Sequence, residues 1–393
     1  MYRTKVNISL YKNSLWPLRV LMHICNALPW QFDELNSFDH NGLSCNIICW
    51  RLLHQLLVIL LVGWLSMLRI NHFEDVYYEK TDIFSIGMDA IRYGILTAIH
   101  LIVYWENTWK ALTYVELFKN FETILQKFRL YLKFEVNTTY LFLYVALLYS
   151  MLTLNILITF FVIYLRYLKS LNAIRLLLEQ YSETILKFKL LEYALFLVII
   201  VTIQRHLNAF AAHYLRTTVL RLRTMPEGKE QTDILNIIGI LQDIHNLLVT
   251  NVNHIENYFN WSLPMLILRM FTEIVLTSYW MYYITDYELS RLYHLYGYSS
   301  IILQLMFLFV ICALCSQSEK LDTQLANILH MSRHQRHNPL LNGLLNEMSL
   351  QLYHQQIKFT AGGFVDVNYK VFGKFIFATV CYVVILIQFH MLI

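Results

Sequence analysis

A carboxamide side chain lies near the end of the last apolar stretch of the sequence. Residues 371–393 are long and apolar enough to cross a bilayer as a helix, which takes about 20 residues. Within them, Ala378, Cys381, Ile385 and Gln388 follow at spacings of three, four and three residues, so they share one helix face. A carboxamide in hydrocarbon costs free energy unless it meets a polar group or water. Gln388 therefore indicates either a hydrogen bond between helices of one subunit or a helix that lines a narrow aqueous path.

The composition of the chain is typical of a membrane protein. Its 393 residues are 57% hydrophobic and 15% charged, whereas soluble chains carry about 25% charged residues. The net charge of +4 is too small and too dispersed to indicate nucleic-acid binding. The sequence offers no nucleophile–base pair, glycine-rich phosphate loop or paired carboxylates typical of an enzyme. His334 and His337 lack further ligands at suitable spacing, so we expect neither a metal nor a cofactor.

Seven apolar segments are predicted to cross the membrane, and their connections predict an orientation. The predicted spans are residues 47–68, 83–105, 140–165, 190–215, 261–284, 295–315 and 371–393. The connections on the side of the N-terminus carry 17 Lys and Arg residues, and those on the other side carry seven. This excess predicts a cytoplasmic N-terminus and an external C-terminus. The predicted fold class is an all-α, polytopic membrane protein with seven transmembrane helices, inverted relative to G-protein-coupled receptors.

The chain is predicted to divide into four parts. Residues 1–46 form a cytoplasmic N-terminal arm. Residues 47–315 form a six-helix transmembrane bundle with a cytoplasmic helical extension at 216–260. Residues 316–369 form a cytoplasmic connection with an amphipathic anchor helix, and residues 370–393 form the last transmembrane helix.

Two cytoplasmic connections carry the apolar periodicity of packed helices. Over residues 234–259 the apolar positions alternate at spacings of three and four, and no helix breaker separates this run from the fifth span. A continuous helix is therefore predicted there. A shorter amphipathic stretch precedes the last span. Such seams pack either within the subunit or between subunits, and the pattern alone favours neither. The seam residues are Leu241 and Leu248 in the first stretch and Leu341, Leu345, Met348 and Leu352 in the second.

Aromatic and ionisable side chains are concentrated at the predicted outer ends of the spans. An interfacial aromatic belt explains most single positions of this kind. As a group they also suit a pocket that stacks rings and hydrogen-bonds a few polar atoms. The candidates are Asp89, Arg92, Tyr93, Tyr164, Tyr193, Tyr279, Trp280, Tyr283 and Tyr296. Asp89 and Arg92 are three residues apart on one helix face, which predicts a local ion pair.

The last span ends in a motif of polar and aromatic residues around an apolar run. Cys381 and Tyr382 precede the hydrophobic residues 383–387, and Gln388 and Phe389 follow. This ending resembles the C-terminal signature of insect gustatory receptors, in which threonine usually stands where this chain has cysteine.

An upstream pattern adds to the resemblance. Gly363, Phe364 and Asn368 match a glycine–phenylalanine–asparagine spacing of the same family. The predicted spans, the orientation, the length and the amphipathic stretch before the last span agree with the family over nearly all of the chain.

The resemblance implies a tetrameric, ligand-gated, non-selective cation channel, formed as a homotetramer or as a heteromer with other gustatory receptors. Its implied location is the plasma membrane of sensory-neuron dendrites, surrounded by membrane lipid. Residues 370–393 would line the pore, with Ile385, Gln388 and Phe389 as gate candidates beside Cys381 and Ala378. The later cytoplasmic helices would form an anchor between subunits. The outer half of the bundle would hold a small-molecule tastant, bitter or otherwise aversive rather than a sugar.

The residues alone leave two other classes of function open. A seven-transmembrane metabotropic receptor requires the opposite orientation. A secondary transporter requires ionisable residues at the midplane, for which Asp89, Arg205 and Arg269 are candidates, and usually an internal repeat, which the sequence does not display.

Overall fold

A computed structural model describes residues 83–132, 139–167, 172–222, 229–283, 290–333 and 339–392, with scattered helical positions between 53 and 64. The helices are α1 (Ile83–Trp109), α2 (Ala111–Leu130), α3 (Thr139–Tyr167), α4 (Asn172–Leu222), α5 (Lys229–Tyr258), α6 (Ser262–Tyr283), α7 (Ser290–Arg333), α8 (Pro339–His354) and α9 (Tyr369–Leu392). A short antiparallel hairpin, β1 (Thr360–Ala361) and β2 (Val365–Asp366), precedes α9. The all-α prediction is confirmed. The predicted N-terminal arm and most of the predicted first span lie outside the described residues.

Three helices of the described ranges are long and apolar enough to cross a membrane on their own. These segments are Thr139–Phe161 in α3, His294–Met331 in α7 and Tyr369–Phe389 in α9. The α5–α6 pair adds a fourth if it is counted as one bent span. The total of seven spans and their orientation stay predictions.

Helix α4 forms the centre of the bundle. It packs against α7 and α3, and the side chains from Ile185 to Val201 are almost all buried. A helix that is apolar on every side is stable only when other helices surround it. The charged residues near its middle are buried as well: the Lys189 Nζ atom lies 3.0 Å from Glu192 Oε2 and 3.8 Å from the Tyr258 ring centre. The helix begins at Asn172, which is 18 residues before the predicted span at 190–215.

Helix α2 was not predicted, because its residues were assigned to a connection. It packs along α5 and buries Leu117, Phe121, Ile124 and Phe128, which follow at spacings of four, three and four residues. This period is that of an amphipathic helix. The connection between the second and third spans is therefore a helix over most of its length.

Helices α5 and α6 meet at a bend of 58°, so the prediction of one continuous helix is wrong. Pro264 in the first turn of α6 has no N–H group to donate to the carbonyl of Asn260, which interrupts the helical hydrogen bonding. The N–H groups of Trp261 and Ser262 instead donate to the two carboxylate oxygens of Glu106, at 2.8 and 3.2 Å. A carboxylate from α1 thus caps the start of α6.

Candidate functional site

Helix α9 packs on one side only. Phe271 of α6 contacts Phe375 and Tyr382, with ring centres 5.8 and 5.4 Å apart, and Phe309 of α7 contacts Phe372 at 5.3 Å. The apolar segment of α9 is 11% buried within the chain, whereas the corresponding segments of α3 and α7 are 28% and 33% buried. Most of the α9 surface is therefore available to lipid or to another chain.

The predicted pore stripe runs along α9 from its packed half to its exposed half. Ala378 and Cys381 are half-buried, and Gln388 is exposed. The side chains of Ile385 and Phe389 are 42% and 56% exposed. The Gln388 carboxamide has no hydrogen-bond partner in the part of the chain that the structure describes. The role of these five residues in a pore stays a prediction.

A cavity opens between α3, α4, α6 and α7. Its volume is about 650 Å³ when the open space at its mouth is included. Most of its wall is apolar, and the polar side chains are grouped. The apolar lining consists of Met151, Leu152, Leu186, Leu190, Leu266, Met270, Leu303 and Phe307, and the polar lining consists of Asn155, Glu183, Lys187, Arg269, Glu273 and Gln304.

A network of ion pairs joins three helices along the wall of this cavity. Arg269 of α6 contacts both Glu183 of α4 and Glu273, one turn further along α6. Arg92 of α1 donates two hydrogen bonds to the Glu273 carboxylate, at 2.5 and 3.0 Å. Arg269 is buried, with 4% of its surface exposed. Such charges are tolerated in a low-dielectric interior only when they are paired, so this network holds α1, α4 and α6 together.

Lys187 differs from the other cations of the cavity in its partner. Its Nζ atom donates to the Oδ1 atom of Asn155 at 2.6 Å. No carboxylate of the described residues lies within 4.0 Å of this Nζ. An ammonium group thus lines the cavity with a neutral amide as its neighbour.

None of the predicted ligand-pocket residues whose side chains the structure describes lines this cavity. Arg92 reaches its wall through Glu273. Tyr93 and Tyr279 are buried in the bundle, and Tyr193 packs against Phe259 with ring centres 5.2 Å apart.

The remaining pocket candidates are described in part. Trp280 has its ring centre 5.7 Å from that of Tyr279, and Tyr296 is half-buried. The side chains of Asp89, Tyr164 and Tyr283 lie outside the described residues. A role of the candidates in ligand binding stays a prediction.

The sequence contained a signal for the cavity network that was not used. Glu183 and Lys187 are four residues apart, as are Arg269 and Glu273. Opposite charges at this spacing share a helix face. When such pairs of opposite charge occur within or beside apolar segments, they indicate a helix face that carries charged side chains into the interior of the bundle.

The described residues of the predicted anchor seams are buried by contacts within one chain. Leu241 and Leu248 of α5 are fully buried, as are Leu345, Met348 and Leu352 of α8 to within 2% of their surface. Helix α5 packs against α2 and α8, and α8 packs against α7. Side-chain contacts inside the subunit account for these seams. The side chain of Leu341 lies outside the described residues, and a role in joining subunits stays a prediction.

The comparisons with known proteins bear on the whole chain. The profile of the 7tm chemosensory receptor family matches residues 20–393. The chain belongs to this family. Two gustatory receptors of Drosophila melanogaster are similar to it. Gustatory receptor 98a is 27% identical over 341 residues, covering 85% of this chain and 83% of that receptor. Gustatory receptor 23a is 32% identical over 154 residues, covering 37% and 38%.

The fold of this chemosensory receptor is also similar to that of a solved receptor. The insect olfactory receptor OR5 from Machilis hrabei superposes with a TM-score of 0.60 at 12% identity, covering 97% of this chain and 99% of that one. The same receptor in complex with eugenol gives a TM-score of 0.62 at 11% identity, covering 96% and 98%. The two proteins share a fold over nearly their whole lengths.

The hairpin before α9 carries the upstream signature residues of the chemosensory receptor. Gly362 and Gly363 have φ of +63° and +73°, a conformation that glycine adopts without strain. The Phe364 ring centre lies 6.4 Å from that of Trp261 at the α5–α6 bend. Asn368 caps α9, because its Oδ1 atom accepts hydrogen bonds from the N–H groups of residues 370 and 371 at 3.0 and 3.3 Å.

The hairpin is held to the bend by one carboxylate. The Oε1 atom of Glu256 accepts hydrogen bonds from the N–H and the hydroxyl of Thr360, at 2.6 and 2.7 Å. A Cβ atom at Gly362 would lie 2.7 Å from the carbonyl oxygen of Asn260. The start of α9 is therefore attached to the same bend that Glu106 of α1 caps.

Proposed function

We propose that this chain is a subunit of a ligand-gated, non-selective cation channel that senses small-molecule tastants. The family and the fold support a chemosensory role. The observation that carries the channel proposal is the exposed carboxamide of Gln388 on α9.

The argument from Gln388 concerns the surroundings of α9. Val384, Ile385 and Phe389 are exposed beside it, so lipid or another chain must cover this surface. Hydrocarbon offers no hydrogen bonds to an amide. Copies of α9 arranged around a common axis would give the amide water or an equivalent amide instead. An apolar ring at Ile385 or Phe389 would close such a path by dewetting, and Gln388 would set the hydration of passing ions.

The proposed assembly follows the expectations from the sequence. Four copies, or this chain with other gustatory receptors, would surround the axis in the plasma membrane of sensory neurons. The cytoplasmic N-terminus, the seven spans and the anchor formed by α5 and α8 belong to the same proposal.

The cavity between α3, α4, α6 and α7 is the proposed tastant site. Its largely apolar wall with a few grouped polar side chains suits a small organic molecule. The similar receptor OR5 forms a complex with eugenol, which supports a ligand of this size class. We propose bitter or other aversive non-sugar compounds, because most of this wall is apolar and a sugar carries hydroxyl groups on all sides.

Whole-cell recording from cells that express only this chain tests the proposal. A panel of bitter compounds is expected to evoke cation currents, and Gln388→Ala is expected to change the relative permeability of monovalent cations. Ile385→Trp is expected to reduce the current by narrowing the path. Leu386→Met is the control, because position 386 lies about 200° around the helix from position 388. If Gln388→Ala and Leu386→Met give the same currents and selectivity as the unmodified chain, the pore assignment fails.

A further inference from the structure

The cavity contains a cation that no carboxylate of the described residues contacts. We infer that its ligands are amphipathic carboxylates whose acid group binds Lys187; this inference rests on the proposal that the cavity is the tastant site. It assigns a chemical class of ligand and a residue that determines specificity.

The charges around the cavity leave one cation in excess. Arg92 and Arg269 are joined to the carboxylates of Glu273 and Glu183 by direct contacts. Among the described residues, Lys187 donates a hydrogen bond to the neutral amide of Asn155 and contacts no carboxylate. An ammonium group has three N–H donors, and one of them is used. A bound carboxylate would accept from the remaining donors and balance the charge of the cavity.

Two further polar atoms on the wall lack partners in the described part of the chain. They are the Nε atom of Arg269, a donor, and the Oε1 atom of Gln304, an acceptor. Leaving a buried polar atom unpaired costs free energy that a ligand can recover. The donor suits a second oxygen of a carboxylate, and the acceptor suits a hydroxyl group on the ligand. The apolar lining would cover the hydrocarbon part.

The same charges disfavour the other ligand classes. A protonated amine would place a second cation beside Lys187, and both carboxylates of the network already have arginine partners. A neutral ester would leave the ammonium charge unbalanced in a low-dielectric wall. Among molecules that share the same carbon skeleton, the acid should therefore bind most tightly, the ester less tightly and the amine most weakly.

Equilibrium binding to the purified full-length chain in lipid nanodiscs tests this order. The probes are hydrocinnamate, methyl hydrocinnamate and phenylpropylamine, each measured by the shift of the thermal unfolding midpoint with ligand concentration. Lys187→Met is expected to weaken hydrocinnamate binding by about 10- to 100-fold, as for the loss of a hydrogen bond between charged groups. The affinity of Lys187→Met for the ester should stay within about threefold of the affinity of the unmodified chain, since the ester makes no charged contact that this substitution could remove. Lys187→Arg should retain the preference for the acid.

A second variant tests the charge without removing the lysine. Asn155→Asp supplies Lys187 with a carboxylate of its own and nearly unchanged size, so it should remove the preference for hydrocinnamate while the chain folds. The inference is overturned if the ester or the amine binds as tightly as the acid to the unmodified chain. It is also overturned if Lys187→Met weakens all three probes equally, because that result indicates a structural role.

Binding and current separate this inference from the proposed function. Binding of hydrocinnamate that depends on Lys187 in nanodiscs, together with no current from any panel compound in cells, would support the acid site and refute a channel formed by this chain alone. Currents evoked by the panel, with no preference for the acid in the binding experiment, would refute the acid site alone.

Discussion

The glycine pair in the hairpin before α9 offers a matched test of how this hairpin is seated. Gly362 and Gly363 are neighbours with positive φ. A Cβ atom at Gly362 would lie 2.7 Å from the Asn260 carbonyl oxygen and 3.2 Å from the Cγ atom of Pro264. A Cβ atom at Gly363 would meet nothing within 4 Å. Alanine at the two positions therefore differs mainly in the contact with the α5–α6 bend.

The expected difference in the free energy of unfolding follows from two separate costs. Either alanine must adopt the left-handed conformation, which costs about 1–2 kcal/mol, and this cost cancels when the two variants are compared. Gly362→Ala must also push the hairpin away from the bend, and overpacking of this kind costs about 1–3 kcal/mol. We expect the free energy of unfolding of Gly362→Ala to be lower than that of Gly363→Ala by this second amount.

The measurement is unfolding of the purified chain by titration with denaturing detergent, followed by tryptophan fluorescence. Trp261, one of eight tryptophans, lies at the bend beside Phe364, so part of the emission reports on this contact. Equal stability of the two variants, or lower stability of Gly363→Ala, would contradict the close approach of the hairpin to the Asn260 carbonyl.

Three further substitutions test the packing of the chain. Glu106→Ala leaves the buried N–H groups at the start of α6 without an acceptor and should lower the free energy of unfolding by about 2–4 kcal/mol, measured by the same titration; a change under about 1 kcal/mol would refute the cap. Arg269→Met leaves the Glu183 carboxylate on the cavity wall without its arginine partner, while Glu273 keeps Arg92, and should cost about 3–5 kcal/mol, with expression and thermal unfolding as the readout; unchanged unfolding would refute the network. Leu345→Ala should cost about 2–5 kcal/mol as a buried position of α8. Leu350→Ala on the exposed side of that helix should cost under about 1 kcal/mol, so similar losses for both would refute the packing of the seam within the subunit.

Local periodicity predicted most helices because it depends on neighbouring residues alone. The seams of α5 and α8 were visible as apolar residues at spacings of three and four, and the structure buries Leu241 and Leu345 there. The same period was present in α2, where Phe121 and Phe128 are buried, but the charged residues between them favoured a connection.

The ion pairs that join different helices at the cavity were hidden by distance along the chain. Arg92 pairs with a glutamate 181 residues later, and Arg269 pairs with one 86 residues earlier. A single sequence gives no sign of such partners, so Lys187 and Lys189 were counted as charges of an outer connection. Both side chains lie within α4 in the bundle. Removing them from the count leaves five Lys and Arg residues on that side, which increases the bias behind the predicted orientation.

The bend between α5 and α6 was missed for a different reason. Pro264 occupies the first turn of α6, a position where proline is tolerated in any helix. The sequence thus allowed either a new start or a continuation, and Glu106 of α1, remote in sequence, supplies the carboxylate that accepts the freed N–H groups.

The length of α4 has a mechanical consequence. Its 51 residues contain no glycine or proline and extend about 76 Å at 1.5 Å per residue, against about 30 Å for the hydrocarbon core of a bilayer. A rotation of about 5° around its midpoint would move the two ends by about 3 Å in opposite directions. Glu183 and Lys187 lie toward one end, and Asn208, whose amide donates to the Leu321 carbonyl of α7 at 2.7 Å, lies toward the other. A rigid helix of this length would carry a small displacement at the cavity to the contact that Asn208 makes with α7, on the other side of its midpoint.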